Sequence, residues 1–262
     1  MMPVRIAAPR IVLFGVPIHA VSMTTALDLV DVAIETRHRL HVGVVNAAKV
    51  VNMGRDPVLR RDVLSSDLIL ADGIAIVWAS RLLGRALPER VTGIDLMIGI
   101  LDRGNTHRYS VYCLGASEAV STKVASRIAI EYPNVSVCGR HHGYFSEADE
   151  HLVVADIVAA RPDILFVAMT SPKKETFMAK WVDQMNVPVC HGVGGSFDVF
   201  AGDVERAPVS WQRLGLEWLY RVKQEPRRLW RRYLTTNLLF FWMVIKELWL
   251  RAAQRQATHN DR

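Results

Sequence analysis

The chain has 262 residues, half of them hydrophobic, and a formal net charge of +6; this is enough apolar material for one large α/β domain or a domain with an appendage, and it excludes global disorder. The charge is uneven, because from Arg206 onward 12 Lys and Arg stand against 4 Asp and Glu, a balance of +8 that leaves −2 on the first 205 residues. Any anionic partner is therefore a matter for the C-terminal part.

The three cysteines, Cys113, Cys138 and Cys190, stand singly. They form neither the CxxC pairs of a zinc site nor the even set of a secreted scaffold, and they fit a reducing compartment. The first apolar run, "IVLFGV", is six residues long and is followed by Pro17 and His19; it reads as a strand and not as a secretory signal.

In chain order the strand candidates are "RIVLFGV" ending at Val16, "HVGVVN" ending at Asn46, "LILA" ending at Ala71, "YSVYCLG" ending at Gly115, "VSVCG" ending at Gly139, "DILFVAM" ending at Met169 and "VPVCHGVG" ending at Gly194. Helical patterns such as "TTALDLVDVAIETR", "SEAVSTKVASRIAIEY" and "EADEHLVVADIVAA" separate them. Near-continuous apolar strands spaced by helices predict an α/β fold, a Rossmann-like parallel sheet with helices on both faces. Ligands of such sheets bind in the crevice beyond the carboxyl ends of the strands. The residues that follow strands are Asn46, Asp72, "LGAS" at 114–117, "TSPKKE" at 170–175 and "GVGGSFDVFAG" at 192–202.

After "GDVERAP" the texture changes, so residues 1–208 are expected to form the α/β domain and 209–262 a basic, amphipathic helical appendage. "PVSWQRLGLEWLYRVKQ" reads as one helix, and Pro226 opens a second, long one. On a 3.6-residue wheel Leu229, Trp230, Tyr233, Leu234, Leu238, Phe241, Trp242, Ile245, Leu248 and Trp249 share a side, away from Arg227, Arg228, Arg231 and Arg232. The longest apolar run of this tail, Leu238 to Ile245, is eight residues, short of the roughly 20 that cross a bilayer. Three readings stand for the stripe: packing on its own domain or another subunit, lying at a membrane surface, or, through the arginines, binding nucleic acid.

Asp72, in "LILADG", also admits two readings. An Asp before a helix caps it, with Gly73 easing the turn. Alternatively it is a general base, which requires a nucleophile beside it and groups that bind a leaving anion. Asn46 either orients a hydroxyl or only forms a turn. Arg90, in "PERVTG", either pairs with phosphate or Asp72 or is solvated. Gly115, Ala116 and Ser117 offer backbone N–H groups at a helix start, and Gly194 and Gly195 allow close backbone approach or a mobile loop. The sequence contains no P-loop, no GxSxG and no HExxH. The pair His141 and His142 lacks a matching ligand cluster, so no metal and no cofactor are expected, and arginines would carry the charge of a diphosphate.

Together these stretches resemble the WecG/TagA/CpsF family of bacterial glycosyltransferases, glycosyltransferase family 26. The matching segments are "VVNAAKVV", "LILADGIAIVWASRLLGRALPERVTGIDLM", "VYCLGASEAV", "GYFSE", "SPKKETF", "GVGGSFDVFAGDVERAP" and "GLEWLYRVKQEPRRLWRRY", from about Ile11 to Tyr233. The resemblance implies inverting transfer of a sugar from a UDP-sugar to a polyprenyl-diphosphate-linked sugar, by a peripheral protein at the cytoplasmic face of the bacterial inner membrane. It implies Asp72 as base, Asn46 and Arg90 in the same pocket, and Gly115, Ala116, Ser117, Lys174, Glu175, Gly194 and Gly195 about the UDP-sugar. Arg221, Arg228 and Arg231 of the appendage would hold diphosphate.

Two positions depart from the family pattern. Val44 stands where a Thr is frequent, which removes a hydroxyl. Lys174 stands where many members carry Gln, which turns an amide into an ammonium. "LHVGVVNAAKVVNM" and "MTSPKKETFM" are most similar to the GumM-type exopolysaccharide branch, which implies UDP-glucose as donor and a β-1,4 linkage in xanthan-type assembly. The alternative is transfer of N-acetylmannosamine or its uronic acid in teichoic acid or enterobacterial common antigen synthesis. The non-enzyme alternative is a basic module docking on membrane or nucleic acid. Nucleic-acid binding would show a steep salt dependence and leaves the apolar stripe unexplained, so no nucleic-acid partner is expected.

Overall fold

The computed structural model describes residues 1–213, 215–224 and 226–260, with side chains throughout these except at 213, 221, 227–229, 231–233 and 252–260. Its first element departs from expectation. "RIVLFGV" does not join the main sheet; β1 (Arg10–Leu13) and β2 (Val16–His19) pair antiparallel as a separate hairpin. Phe14 and Gly15 between them have φ of 53° and 72°, the left-handed pair that reverses a chain in two residues.

The main sheet has six parallel strands: β3 (Leu40–Val45), β4 (Leu68–Ala71), β5 (Ser110–Gly115), β6 (Ser136–His141), β7 (Ile164–Ala168) and β8 (Val189–Gly192), in the order β4-β3-β8-β7-β5-β6. The helices are α1 (Met23–Thr36), α2 (Ala47–Met53), α3 (Pro57–Leu64), α4 (Ile74–Leu82), α5 (Gly93–His107), α6 (Glu118–Glu131), α7 (Glu150–Ala160), α8 (Lys173–Met185) and α9 (Ser196–Phe200). The appendage adds α10 (Val209–Arg213), α11 (Glu217–Gln224) and α12 (Pro226–Asn260).

Local chemistry sets these boundaries. Ser22, Asn46, Asp56, Thr92 and Ser117 each accept a backbone N–H from the first turn of α1, α2, α3, α5 and α6, which relieves the unpaired donors of a helix start. Arg37, Arg108, Arg161 and Asn186 close α1, α5, α7 and α8 in left-handed conformation.

Apart from the edge strand β6, both faces of the sheet are buried, so alternate residues of one strand serve different cores. Val42, Leu70, Cys113, Phe166 and Val189 join α1, α5, α6 and α9 in one core. Val45, Ile69 and Ala71 join the hairpin, α2, α3, α4 and α12 in a second, and Tyr112, Leu165, Val167 and Cys190 join α7 and α8 in a third.

The expected single helix from Pro208 to Gln224 is broken into α10 and α11. Gly215 lies between them with φ +70°, and a Cβ there would come within 2.1 Å of Ile74 Cγ2. The break lets the backbone close onto the start of α4. Among the described residues no helix is long and apolar enough to cross a membrane.

α12 sorts its residues differently from the wheel. Phe240 and Val244 are buried in the second core and Thr236 is buried beside them. Phe240 meets Phe14 of the hairpin edge-on at 5.2 Å, and the Arg251 guanidinium donates to the Leu83 carbonyl at the end of α4. The packing reading therefore holds for a face that the wheel left out. The stripe itself points away: Trp230, Leu234, Leu238, Phe241, Trp242, Ile245, Leu248 and Trp249 are all exposed, Trp249 by 69%. Leu229 and Tyr233 lie outside the described side chains.

Candidate active site

Parallel topology brings the carboxyl ends of β4, β3, β8, β7 and β5 to one edge, and the polar residues that follow those strands line it in that order. Asp72 follows β4, and its backbone N–H donates to Val45 O at 2.9 Å. Its carboxylate does not cap α4. That helix starts at Gly73 with no side-chain cap, so the capping reading of Asp72 is corrected. Asp72 Oδ1 instead accepts the N–H of Gly93 at 3.0 Å, the first residue of α5, 21 positions along the chain. A helix start favours negative charge, so α5 keeps the carboxylate at the crevice.

Asp72 Oδ2 faces Asn46 Nδ2 at 3.5 Å. Asn46 is fixed by the other half of its amide: Oδ1 caps α2 through Lys49 N at 3.0 Å, so Nδ2 is the half turned to Asp72. Asn46 is thus both the turn residue and the neighbour of the carboxylate.

Beneath this pair lies a buried charge cluster. Glu175 Oε1 accepts from Lys49 Nζ at 2.7 Å and lies 3.3 Å from Lys174 Nζ, while Lys49 Nζ also donates to Val44 O at 2.8 Å. The three side chains are 7–9% exposed. Burial alone would raise the Glu175 pKa, but the two ammonium groups hold it down at about 2. Burial, with Lys49 beside it, pulls Lys174 down to about 8, although Glu175 and Asp72 oppose the shift. Two cations and one anion leave the cluster with net positive charge at neutral pH. Val44, buried in the core, gives the site only its carbonyl.

Lys174 lies under the loop after β8. Its stem fills the place of a side chain at Gly192, and its Nζ is 3.8 Å from where a Cβ of Gly194 would stand. Gly194 has φ +56°, and Gly195 begins α9. At the end of β5, Gly115 has φ +125° and a Cβ would fall 2.3 Å from Ala168 O, so glycine alone fits there. Ala116 follows with φ 57°, and the Ser117 hydroxyl is used as the cap of α6. Gly143 N donates to Ala116 O, and Lys173 Nζ donates to the carbonyls of Gly143 and Phe145. The loop so braced carries Tyr144, which is 80% exposed beside the turn.

Arg90 does not pair with Asp72, whose carboxylate is held by Gly93 and faces Asn46. Its Nη1 donates to Glu217 Oε2 of α11 at 3.1 Å. Arg206 continues the chain, with Nη2 on Asp95 Oδ1 at 2.6 Å and Nε 3.8 Å from Glu217 Oε1. Asp95 in turn accepts from Thr92 Oγ1 at the N-cap of α5. These ion pairs tie the appendage to the helix start that holds Asp72. The side chains of Arg221, Arg228 and Arg231 lie outside the described residues.

Sequence reading singled out neither Lys49, Glu217, Arg206, Tyr144 nor His191 for the site. A Lys one turn into α2 and a His within an apolar strand carry no local signal. "GYFSE" was the one available pointer to Tyr144.

Two curated relatives are similar to this chain. Both are named N-acetylglucosaminyldiphosphoundecaprenol N-acetyl-beta-D-mannosaminyltransferase. The protein of Bacillus spizizenii is 39% identical over 171 residues, 65% of this chain and 65% of its own length. That of Bacillus subtilis is 42% identical over 176 residues, 66% of this chain and 67% of its own. The matched stretch thus spans just under two thirds of the first relative. Both names favour the N-acetylmannosamine alternative over the glucosyl reading of the sequence, and neither supports xanthan-type or exopolysaccharide assembly. The sequence model of the Glycosyl transferase WecG/TagA/CpsF family matches residues 11–254, nearly the whole of the sheet, crevice and appendage described above, and the chain belongs to that family.

Proposed function

We propose that the protein transfers N-acetylmannosamine from its UDP derivative to the N-acetylglucosamine of a diphosphoundecaprenol-linked acceptor, with inversion, at a membrane surface. The observation that carries this reading is the Asp72 carboxylate, held by one oxygen at the start of α5 and open to the crevice through the other. Asp72 Oδ2 takes the proton of the acceptor hydroxyl as its oxygen bonds to the anomeric carbon and the bond to UDP breaks. The departing diphosphate needs positive charge. The Lys49–Glu175–Lys174 cluster under the Gly192–Gly195 loop supports that role, and Arg221, Arg228 and Arg231 are assigned to the same charge. Tyr144 offers an exposed ring to the base beside Gly115, Ala116 and Ser117.

The apolar stripe of α12, with the Arg cluster in its first turns, is assigned to the headgroup region, where each basic residue adds roughly 1 kcal/mol on anionic lipid. The sugar is chosen from the names of the two relatives.

The test is a panel of UDP-sugars against N-acetylglucosaminyl-diphosphoundecaprenol, with the wild type and Asp72→Asn. Transfer of N-acetylmannosamine, lost by a factor of about 10³ in a folded Asp72→Asn, is the expected result. Glucose transfer would restore the GumM-type reading, and near-wild-type turnover by Asp72→Asn would remove Asp72 as base.

A further inference from the structure

His191 lies on β8 with no exposed surface. Its Nε2 is 3.0 Å from the carbonyl oxygen of Gly93, the residue whose N–H donates to Asp72 Oδ1. A carbonyl only accepts, so Nε2 carries the proton and the ring is the Nε2–H tautomer. Burial pushes the imidazole down to about 4; the Gly93 and Val42 carbonyls and the Asp72 carboxylate oppose the shift, and the nearby Lys174 ammonium adds to it. The ring is therefore a neutral donor at physiological pH.

Its other nitrogen, Nδ1, is buried with no hydrogen-bond partner. An unpaired buried nitrogen is costly. Next to Phe166, which meets the ring edge-on at 6.3 Å, an apolar side chain would fill the same volume without that cost. What an apolar residue could not supply is the bond to Gly93.

Gly93 is thereby gripped on both sides. Thr92 caps α5 through Asp95 N at 3.1 Å, which leaves the Gly93 N–H for Asp72, while His191 holds the Gly93 carbonyl against the end of β8. With Oδ1 occupied, the carboxylate turns Oδ2 toward Asn46 and the crevice.

We propose that His191 is a positioning residue, which through Gly93 holds the Asp72 carboxylate in the orientation that leaves Oδ2 open to the acceptor hydroxyl. The proposal rests on the reading of Asp72 as the base.

It is tested by transfer from UDP-N-acetylmannosamine to N-acetylglucosaminyl-diphosphoundecaprenol, with His191→Phe and His191→Gln made in the full-length wild type and in Asp72→Asn. Phe keeps the ring volume and loses the donor, whereas Gln keeps an N–H at similar reach. In the wild-type background Phe is expected to lower kcat about 10-fold, as loss of a supporting hydrogen bond does at other orienting partners, with donor KM unchanged and Gln restoring most of the rate. In the Asp72→Asn background His191→Phe is expected to cost nothing further, because the group it positions is gone.

An equal proportional loss in both backgrounds, or wild-type kcat for His191→Phe, overturns the proposal. Near-wild-type turnover by Asp72→Asn alone instead overturns the base reading on which it depends. A third measurement needs neither variant nor substrate: ¹⁵N NMR of the wild-type ring is expected to show the neutral Nε2–H tautomer, and an Nδ1–H tautomer overturns the proposal.

Discussion

Glu175→Gln removes the one anion from a buried group of three charges. Lys49 and Lys174, 9% and 8% exposed, would then face each other without a counter-ion. The Glu175 pKa of about 2 against an ordinary 4.5, at about 1.4 kcal/mol per pH unit, corresponds to about 3 kcal/mol in favour of the folded state at neutral pH. Breaking a buried ion pair costs about 3–5 kcal/mol. The low end applies because Lys174, already near 8, can shed its proton before the full repulsion develops.

A carboxylate whose folded pKa is depressed contributes stability above its unfolded value and loses it as pH falls through the folded value, so the window runs from 4.5 down to about 2. Urea denaturation at pH 7 is expected to show the variant about 3 kcal/mol less stable. Below pH 4.5 the wild type is expected to lose stability more steeply than the variant, by about one proton. Lys49→Met in the Glu175→Gln background should recover part of the loss, since it removes one of the stranded cations. A Glu175→Gln protein within about 1 kcal/mol of wild type at pH 7, or one with the same acid slope, would refute the reasoning.

Three further outcomes are expected. Phe240→Ala opens a cavity between α12 and the hairpin and should cost about 3–5 kcal/mol in chemical denaturation. Trp242→Ser with Trp249→Ser, at positions 64% and 69% exposed on the same helix, should leave stability within about 1 kcal/mol yet abolish flotation with anionic liposomes; unchanged flotation would separate the stripe from the membrane. Gly215→Ala, which meets both φ +70° and Ile74, should lower the thermal midpoint and release the appendage to limited proteolysis, whereas Gly202→Ala, with φ +81° but nothing near its Cβ, should show the smaller loss from backbone strain alone.

Much of this was legible in the sequence because it rests on local or periodic signals. The six strands of the main sheet end near where expected, and all but the edge strand β6 are largely apolar runs, since a strand buried on both faces has to be almost wholly apolar. A parallel sheet in turn carries whatever follows its strands to one edge, which is why Asp72, Asn46, Lys174, Gly115 and Gly194 were found together. The stripe of α12 and its uneven charge were equally readable from composition and a helical wheel.

Tertiary structure decided what each of these residues touches. "DLILADG" reads as a helix cap because a cap is the local use of an Asp before a helix. The carboxylate is taken up instead by Gly93, 21 residues on, once β4 and the start of α5 meet. Arg90 found Glu217 of the appendage rather than Asp72, and Lys49, one turn into α2, became part of the charge cluster only when α2 met the start of α8. The hairpin was misread because the strand signal of "RIVLFGV" is the same whether its partner is a sheet or its own continuation. α12 likewise chose its buried face by the shape of the hairpin and α2, not by its most apolar side. The sequence by itself determined the elements and the edge at which they present polar groups; the pairing of those groups depended on contacts between distant segments, which no local pattern encodes.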